Sequence, residues 1–258
     1  SGSSSRPEQI ALFTNSGTTL NGKIAVFHSI REEQIAGWTL WTTRNNDFFH
    51  SIVSANEHLF TICKRSLNGS TTYTLEKFAE DDSTSLDCAT TSTLSQRGTP
   101  LVKGASQSGL TLIMDGLTSN PQIQEEFTIA GVTGTYRITA ITNNGSGTYT
   151  VTLNTALASS PADNASITFT KGFLHTVNGI YTNESVNAVN GNSSIGAFTV
   201  SGSDTLTFTV DPQPTGVNVG FNYTPELETM PIDVETESGP LTGLPRRIVR
   251  CIVDVADA

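Results

Sequence analysis

The sequence is poor in charge and in helix-forming residues. Only 15% of its 258 residues are charged, and 14 Lys and Arg stand against 24 Asp and Glu, a net charge of -10. Ser and Thr together account for 66 residues and Gly for 22, which is typical of strands and turns. This composition excludes an all-α protein, argues against a doubly wound α/β enzyme, and predicts an all-β fold.

Basic clusters and long apolar runs are also scarce. A phosphate-binding surface needs clustered Lys and Arg, and Arg246, Arg247 and Arg250 form the one tight basic group. Sequence-specific nucleic-acid binding is therefore not expected, although passive repulsion of nucleic acid stays open. No apolar run approaches the roughly 20 residues of a membrane-spanning helix. Residues 1–5 show no signal peptide, and the start without Met suggests a piece of a longer protein.

The cysteines and short motifs indicate no catalytic chemistry. Cys63, Cys88 and Cys251 are too widely spaced for a disulfide framework or a metal-binding pair. Cys63 and Cys251 lie in apolar, strand-like runs, so we expect buried free thiols and synthesis in a reducing compartment. No nucleophile elbow, HExxH motif or phosphate-binding loop is present. We therefore predict no enzyme activity, no catalytic or metal-binding residue and no cofactor.

Two histidines fall in a predicted hairpin. With a loop at Ala55-Asn56, His50 would pair with Thr61 and His58 with Val53, so the two rings would lie on opposite faces and not share a metal.

Acidic residues form several local groups. Asp81, Asp82 and Asp87 lack the Gly and Glu of an EF-hand calcium loop and are interpreted as a solvated turn. Paired carboxylates for sugar hydrolysis stay open in principle, but Glu226 with Glu228, and Glu235 with Glu237, are interpreted as loop charges.

The chain divides into three predicted segments: a blade-like β-meander at 1–89, a linker with an inserted small β-module at 90–172, and a C-terminal β-segment at 173–258 that completes the first unit. In the first segment, turn residues separate five strand-length runs. These runs are Ile24–Phe27, Gln34–Thr42, Phe48–Val53, Leu59–Lys64 and Tyr73–Phe78.

The second segment begins with a linker, Thr90–Ser108, that lacks periodicity. A small barrel or sandwich then occupies about 104–171, where alternation places Tyr136, Ile138 and Ala140 on one face and Arg137 and Thr139 on the other. A short helix at Ala156–Ser159 is the one helical candidate. The third segment has short predicted strands around Ile180, at Ala197–Val200, Thr205–Val210, Val217–Tyr223 and Arg247–Val255.

Trp38 and Trp41 are three residues apart, so they point to opposite faces of one strand. We expect one in the core and the other exposed or at an interface. The loops Asn143–Gly147 and 233–243 are predicted contact surfaces because they are long, polar and not needed by the core.

Two stretches resemble a known family. Ser29–Thr43, with Leu59–Arg65 and Tyr73–Phe78, resembles the blade pattern R-x-x-Q-x-x-x-W, then a strand ending in Arg, then Y-x-L-E-x-F, of the tail tubular protein B or nozzle family of short-tailed bacteriophages. Val217–Tyr223, through Thr229-Met230-Pro231 to Pro245–Val255, is similar to the ending of those proteins. Together the stretches cover about half of the chain, and family members are much longer.

The resemblance implies a structural virion protein without catalysis. Such proteins are made in the host cytoplasm and form a ring, usually sixfold, in the phage tail, next to the adaptor and fibre proteins. DNA leaves the capsid through the ring, and an acidic wall would let it pass without sticking because few cations offer counterion release. A net charge of -10 is equally expected if the charge serves only to keep the protein soluble.

Two alternatives come from other functional classes. The first is a carbohydrate- or receptor-binding module on a virion or cell surface, with Trp41 or Tyr149 as an exposed stacking platform. The second, a polysaccharide-degrading spike, lacks sequence repeats and a clear carboxylate pair.

Overall fold

The computed structural model describes residues 8–13, 22–30, 35–44, 47–56, 58–78, 86–222, 235–236 and 239–240. Regular structure there is β-strand apart from one short 3₁₀ turn, and the strand pairs are antiparallel, which confirms the all-β prediction. The chain separates into two units, 1–223 and 224–258.

The first part of unit 1, which we call the N-terminal sandwich, has two three-stranded sheets. Their orders are β1-β2-β3 and β4-β5-β6. The inner faces share one apolar core containing Ile24, Val26, Phe49 and Cys63. The strands are β1 (Glu8–Phe13), β2 (Ile24–Ile30), β3 (Ile35–Trp41), β4 (Phe48–Ala55), β5 (His58–Leu67) and β6 (Ser70–Lys77).

Residues 90–108, predicted to be an irregular linker, instead contain strands, so that prediction is wrong. β7 (Asp87–Thr91), β8 (Thr93–Leu94) and β9 (Gly98–Val102) follow one another closely, yet each joins a different sheet. These strands are too short for alternation to be recognised in the sequence. Their pairing partners lie far along the chain, as in Thr90 with Val219 and Leu94 with His175.

The middle module, residues 98–172, is a curled antiparallel sheet. Its order is β19-β14-β11-β12-β13-β10-β9, in which the edge strand β19 (Gln213–Pro214) comes from the C-terminal part of unit 1. Leu101 bridges to Ser166 beside the start of β14, which curls the sheet around its core. That core includes Leu112, Met114 and Ile138, all fully buried. The strands not yet given are β10 (Thr111–Leu117), β11 (Glu126–Ile129), β12 (Val132–Gly145), β13 (Thr148–Leu153) and β14 (Ile167–Gly172).

Two local predictions for the module are wrong. Ala140 is exposed although Tyr136 and Ile138 are buried, because a bulge between Ile138 and Ala140 shifts the register and Ile141 packs on the core instead. Residues 156–159 form no helix.

The last part of unit 1 has a separate core that includes Tyr181, Val217, Val219 and Phe221. One sheet has the order β17-β16-β20-β7 and another β18-β15-β8. The region around Ile180 was predicted as a strand but is the 3₁₀ turn Gly179–Tyr181, capped by the Asn178 side chain. The strands are β15 (Leu174–Thr176), β16 (Ser185–Asn190), β17 (Ser193–Thr199), β18 (Thr205–Thr207), β19 (Gln213–Pro214) and β20 (Asn218–Phe221).

Unit 2 contributes one described pair, β21 (Glu235–Thr236) with β22 (Gly239–Pro240). Several predictions lie wholly or partly outside the described residues, and the division of the chain at 90 and 173 stays a prediction. Those outside are the strand Arg247–Val255, most of the loop 233–243, the Cys251 thiol, Asp81, Asp82, the basic group at 246–250, Glu226, Glu228 and Glu237.

Candidate functional surface

The outer face of the β4-β5-β6 sheet is apolar although it is exposed. Register pairs Ile62 with Leu75 and Val53 with Phe60 on this face. Leu75 is 74% exposed and Val53 59%. Tyr73, also exposed, follows on the same face beside Lys64. We call this surface the β4–β6 outer face.

The opposite side of the sandwich carries a second apolar surface, the β2–β3 outer face. Alternation in β2 buries Ile24 and Val26, which leaves Ala25 and Phe27 on the outside. Trp38 pairs with Phe27 in the register and its ring lies 5.0 Å from the Phe27 ring, yet Trp38 is 60% exposed. Leu40 is exposed beside them. Scattered exposed apolar residues are ordinary, whereas adjacent ones indicate an interaction surface.

The two outer faces differ in charge. The β4–β6 outer face carries Lys64 and Lys77, and the alternation of β4, β5 and β6 gives its described positions no carboxylate. On the β2–β3 outer face, the strand residues with described side chains are neutral: Ala25, Phe27, Trp38 and Leu40. Lys23 directly precedes β2. Both faces therefore carry apolar and aromatic side chains, and the strands of the β4–β6 outer face add two lysines in a chain whose net charge is -10.

The predicted opposition of the two tryptophans is confirmed, but the predicted stacking residues are wrong. Trp41 points inward and its ring lies 5.3 Å from that of Phe78. Tyr149 is 5% exposed, and its hydroxyl donates to Asn120 Oδ1 at 2.5 Å. Among the side chains of the two sheets that the structure describes, those of Trp38 and Tyr73 are large exposed aromatic ones.

The predicted long contact loop Asn143–Gly147 is a tight hairpin instead. β12 extends to Gly145, which pairs with Thr148. Ser146 and Gly147 both have positive φ, 53° and 73°, as a two-residue type I′ turn requires. The hairpin tip is exposed and polar, so its role as a contact surface stays a prediction.

The histidine register was also predicted incorrectly. His58 pairs with Ala55, and a bulge lies between Phe49 and Ser51. The bulge sets the His50 ring 5.5 Å from that of Tyr73, on the face that also contains His58. In the described part of the chain, no three His, Cys, Asp or Glu side chains are grouped to hold a metal ion.

A buried arginine joins the sandwich to the rest of unit 1. Arg65, 1% exposed, follows Thr61 and Cys63 on the inner face of β5, where alternation places it. It binds Glu76 through Nε and Nη2, both at 2.6 Å, and Asp47 through Nη1 at 2.9 Å. Asp87, at the start of β7, accepts from Nη2 at 2.9 Å and Nη1 at 3.0 Å.

This network perturbs the titration of its members. Burial by itself would raise the pKa of Asp87, but the hydrogen bonds and charge of Arg65 outweigh it and hold that pKa below its usual value. Burial opposes the charge of Arg65, and Glu76 and Asp87 overcome it, so the Arg65 pKa is raised. The Asp87 of the proposed solvated turn is thus a structural carboxylate.

Arg44 makes a second connection between the same regions. Its Nη1 lies 3.0 Å from Glu184 Oε2, and its guanidinium stacks 4.1 Å from the centre of the Phe221 ring. Glu184 also accepts from the backbone N–H of Asn68 at 2.5 Å. Two partners, Glu184 and Phe221, therefore fix the β3–β4 connection against the C-terminal part of unit 1, and Glu184 also holds the β5–β6 turn at Asn68.

The middle module has a comparable attachment. Arg97, just before β9, binds Glu125 with Nη2–Oε1 at 2.5 Å and Nε–Oε2 at 3.1 Å, and both side chains are buried. Glu125 also accepts from the Phe173 N–H at 3.1 Å, so one carboxylate links the connecting strands, the module and the start of the C-terminal part.

An open groove of about 940 Å³ lies between β6 and the β7 region. Its walls are mostly neutral, with Thr72, Thr74 and Thr90 among them, and its Glu76 is engaged by Arg65. Burial raises the pKa of the adjacent Cys88 thiol to about 12. Burial also raises the pKa of the Cys63 thiol. Both thiols are protonated near neutral pH and are poor nucleophiles.

No protein-family model matches the chain, and no curated protein matches it significantly. Among the described residues there is no helix long and apolar enough to cross a membrane. The function must therefore be inferred from the surface and the sequence pattern.

Sequence reasoning missed the Arg65 network and both outer faces, although signals for each were present. Arg65 alternates with Cys63 and Leu67 along β5 and therefore lies on the same inward face, which marks its side chain as buried. Apolar residues at both parities of β5, as in Ile62 beside Cys63, mark a strand with two apolar faces. Neither signal identifies the Arg65 partners Asp47 and Asp87, which lie outside β5.

Proposed function

We propose that the chain is a non-catalytic structural component of a short-tailed phage tail, part of the nozzle ring through which DNA is ejected. The observation that carries this proposal is a sandwich with exposed apolar surfaces on both sides, because such surfaces are typical of subunits that are covered in an assembly. The resemblance of the strand pattern supplies the identity of that assembly.

Three further features support a structural role. The charged residues of the resembling pattern, Arg65 and Glu76, form an ion pair inside the fold and are thereby unavailable for chemistry. The two described thiols are protonated near neutral pH, and the carboxylate of the groove, Glu76, is held by Arg65. The net charge of -10 suits a wall past which DNA slides, because it gives no counterion release.

Immunogold labelling of intact particles from the source lysate tests the proposal. An antibody against this chain should label the distal tail only. Label on fibres would contradict the nozzle assignment and favour receptor binding, and absence from every particle would contradict a virion role. A channel lined by Lys and Arg in the assembled ring would overturn the proposed passive passage of DNA.

Carbohydrate or receptor binding stays the second candidate because Trp38 and Tyr73 are exposed aromatic rings, and such rings stack on sugars. A glycan array with wild-type chain and Trp38→Ala distinguishes the two. Binding that is lost in the variant would favour a binding module. Virion localisation, the neighbouring adaptor and fibre proteins, and a sixfold ring are parts of the first proposal.

A further inference from the structure

We infer that the two outer faces of the N-terminal sandwich are the complementary halves of one head-to-tail interface: the β2–β3 outer face of one copy packs on the β4–β6 outer face of the next copy. This inference deepens the proposed function and rests on it for the identity of the partner, a second copy of this chain.

The position of the faces favours a repeating contact. Ile24 and Val26 of the first sheet share a core with Phe49 and Cys63 of the second, so the two outer faces lie on opposite sides of the sandwich. Different patches that meet make a heterologous contact, which continues from copy to copy as a ring or an open chain.

Like-charge repulsion disfavours self-pairing of the β4–β6 outer face. Two β4–β6 outer faces brought together would confront Lys64 and Lys77 with their own copies, without a carboxylate on the described positions of either face. Against the β2–β3 outer face the same ammonium groups meet the rings of Phe27 and Trp38, where cation–π attraction is available. Aromatic anchors of this kind dominate interface energies.

The size of the faces also favours use of both. Eight residues of three strands span about 14 by 26 Å, or about 370 Å², whereas a stable interface buries about 800 Å² per partner. A single contact is therefore weak, and a dimer held by one contact forms only at high protein concentration. A copy inside a ring engages both faces, and ring closure adds the avidity that a single contact lacks.

The test uses two variants of the full chain, each with one face broken: Trp38→Glu on the first and Leu75→Glu on the second. Val210→Glu is the matched control, because Val210 is 69% exposed and lies on neither face. Far-UV circular dichroism checks that each variant is folded. Two further single variants, Trp38→Thr and Leu75→Thr, repeat the test with a residue that favours strands. Sedimentation equilibrium measures mass against concentration up to the solubility limit.

We expect the mass of the wild type and of Val210→Glu to rise with concentration. Each face variant alone should weaken self-association by about tenfold or more. An equimolar mixture of the two variants retains one intact face from each partner, so it should form a one-to-one dimer and nothing larger.

Self-association of either variant at wild-type strength would overturn the head-to-tail interface. Monomers throughout, in the wild type and in the mixture, would equally overturn it and assign the faces to another protein. The outcome is separable from that of the immunogold experiment, since copies can associate head to tail in a particle other than a phage tail.

Discussion

The N-terminal sandwich and the middle module are both built from antiparallel strands, but they treat their outer surfaces differently. The sandwich exposes Trp38, Leu40, Val53, Ile62, Tyr73 and Leu75, whereas the module exposes Leu110 and Ile123. The module surrounds its own core with a curled sheet, while each three-stranded sheet of the sandwich has two apolar faces and buries one. The module thus covers its own core, and the proposed role of the sandwich is to be covered by a partner.

The largest expected effect is on the connection between the sandwich and the rest of unit 1. Arg65→Met should lower the free energy of unfolding by about 3–5 kcal/mol, because Asp47, Glu76 and Asp87 lose their buried counter-charge. Both tryptophans of the chain lie in the sandwich, so tryptophan fluorescence in urea reports this region selectively.

The exposed Arg137 gives the control, Arg137→Met, which should leave the transition unchanged. If Arg65→Met leaves the fluorescence midpoint where it is in the wild type, the network does not stabilise the sandwich.

Ile138→Ala should destabilise the middle module more than the sandwich, the reverse of the effect of Arg65→Met. Ile138 is fully buried in the module core, and truncation of such a residue costs about 2–5 kcal/mol. The far-UV circular dichroism transition, which reports the strands of all regions, should move to lower urea by more than the fluorescence transition, which reports the sandwich. Ile123→Ala, at an exposed position, is the control. Equal shifts of both signals would show that the two regions unfold as one and would break the comparison.

A smaller effect is expected at the bulge between Asp115 and Leu117 of β10. Gly116 has φ +74°, and a Cβ there would lie 2.3 Å from the carbonyl oxygen of Thr99. Gly131 has a similar φ of +78° but open space around it. Gly116→Ala should therefore lower the urea midpoint of the module more than Gly131→Ala, with the excess measuring the clash alone. Equal losses would mean that β9 moves aside.

His175 should give stability a modest pH dependence. It is fully buried, its Nδ1 lies 3.0 Å from Ser92 Oγ, and burial lowers its pKa. Below the ordinary pKa of about 6.5, the unfolded chain therefore binds a proton at this histidine while the folded chain does not. The free energy of unfolding therefore decreases as the pH is lowered from about 6.5 towards the depressed pKa of the folded state, by at most about 1.4 kcal/mol per pH unit. In urea titrations at several pH values, the free energy of unfolding of His175→Gln should depend less on pH than that of the wild type. An equal pH dependence in the variant and the wild type would contradict the prediction.

The smallest effect on stability is expected at the outer faces. Leu75→Thr should change the free energy of unfolding of the dissociated chain by less than about 0.5 kcal/mol. The same substitution should weaken association. A large loss of stability in the monomer would mean that Leu75 supports the fold and not an interface.

The extent to which the sequence predicts this protein differs between the regions for a physical reason. Alternation and turn residues identify β2 to β6 of the sandwich, though not β1, and the module strands around Phe127 and Tyr149, because these pair with near neighbours. They fail for β7, β8 and β9, whose partners are distant, and for Ala140 and His50, where a single bulged residue reverses the face. The Arg65 network depends on contacts as distant as Asp87, which no local pattern encodes.

Hydroxyl-radical footprinting of the wild-type chain, dissociated and associated, tests the central claim most directly because it reads side-chain exposure. The account predicts that Trp38, Tyr73 and Leu75 become protected on association, while Leu110 and Ile123 of the module keep their reactivity. Protection of the module residues with continued oxidation of Trp38 and Tyr73 would contradict the assignment of the sandwich as the assembly region.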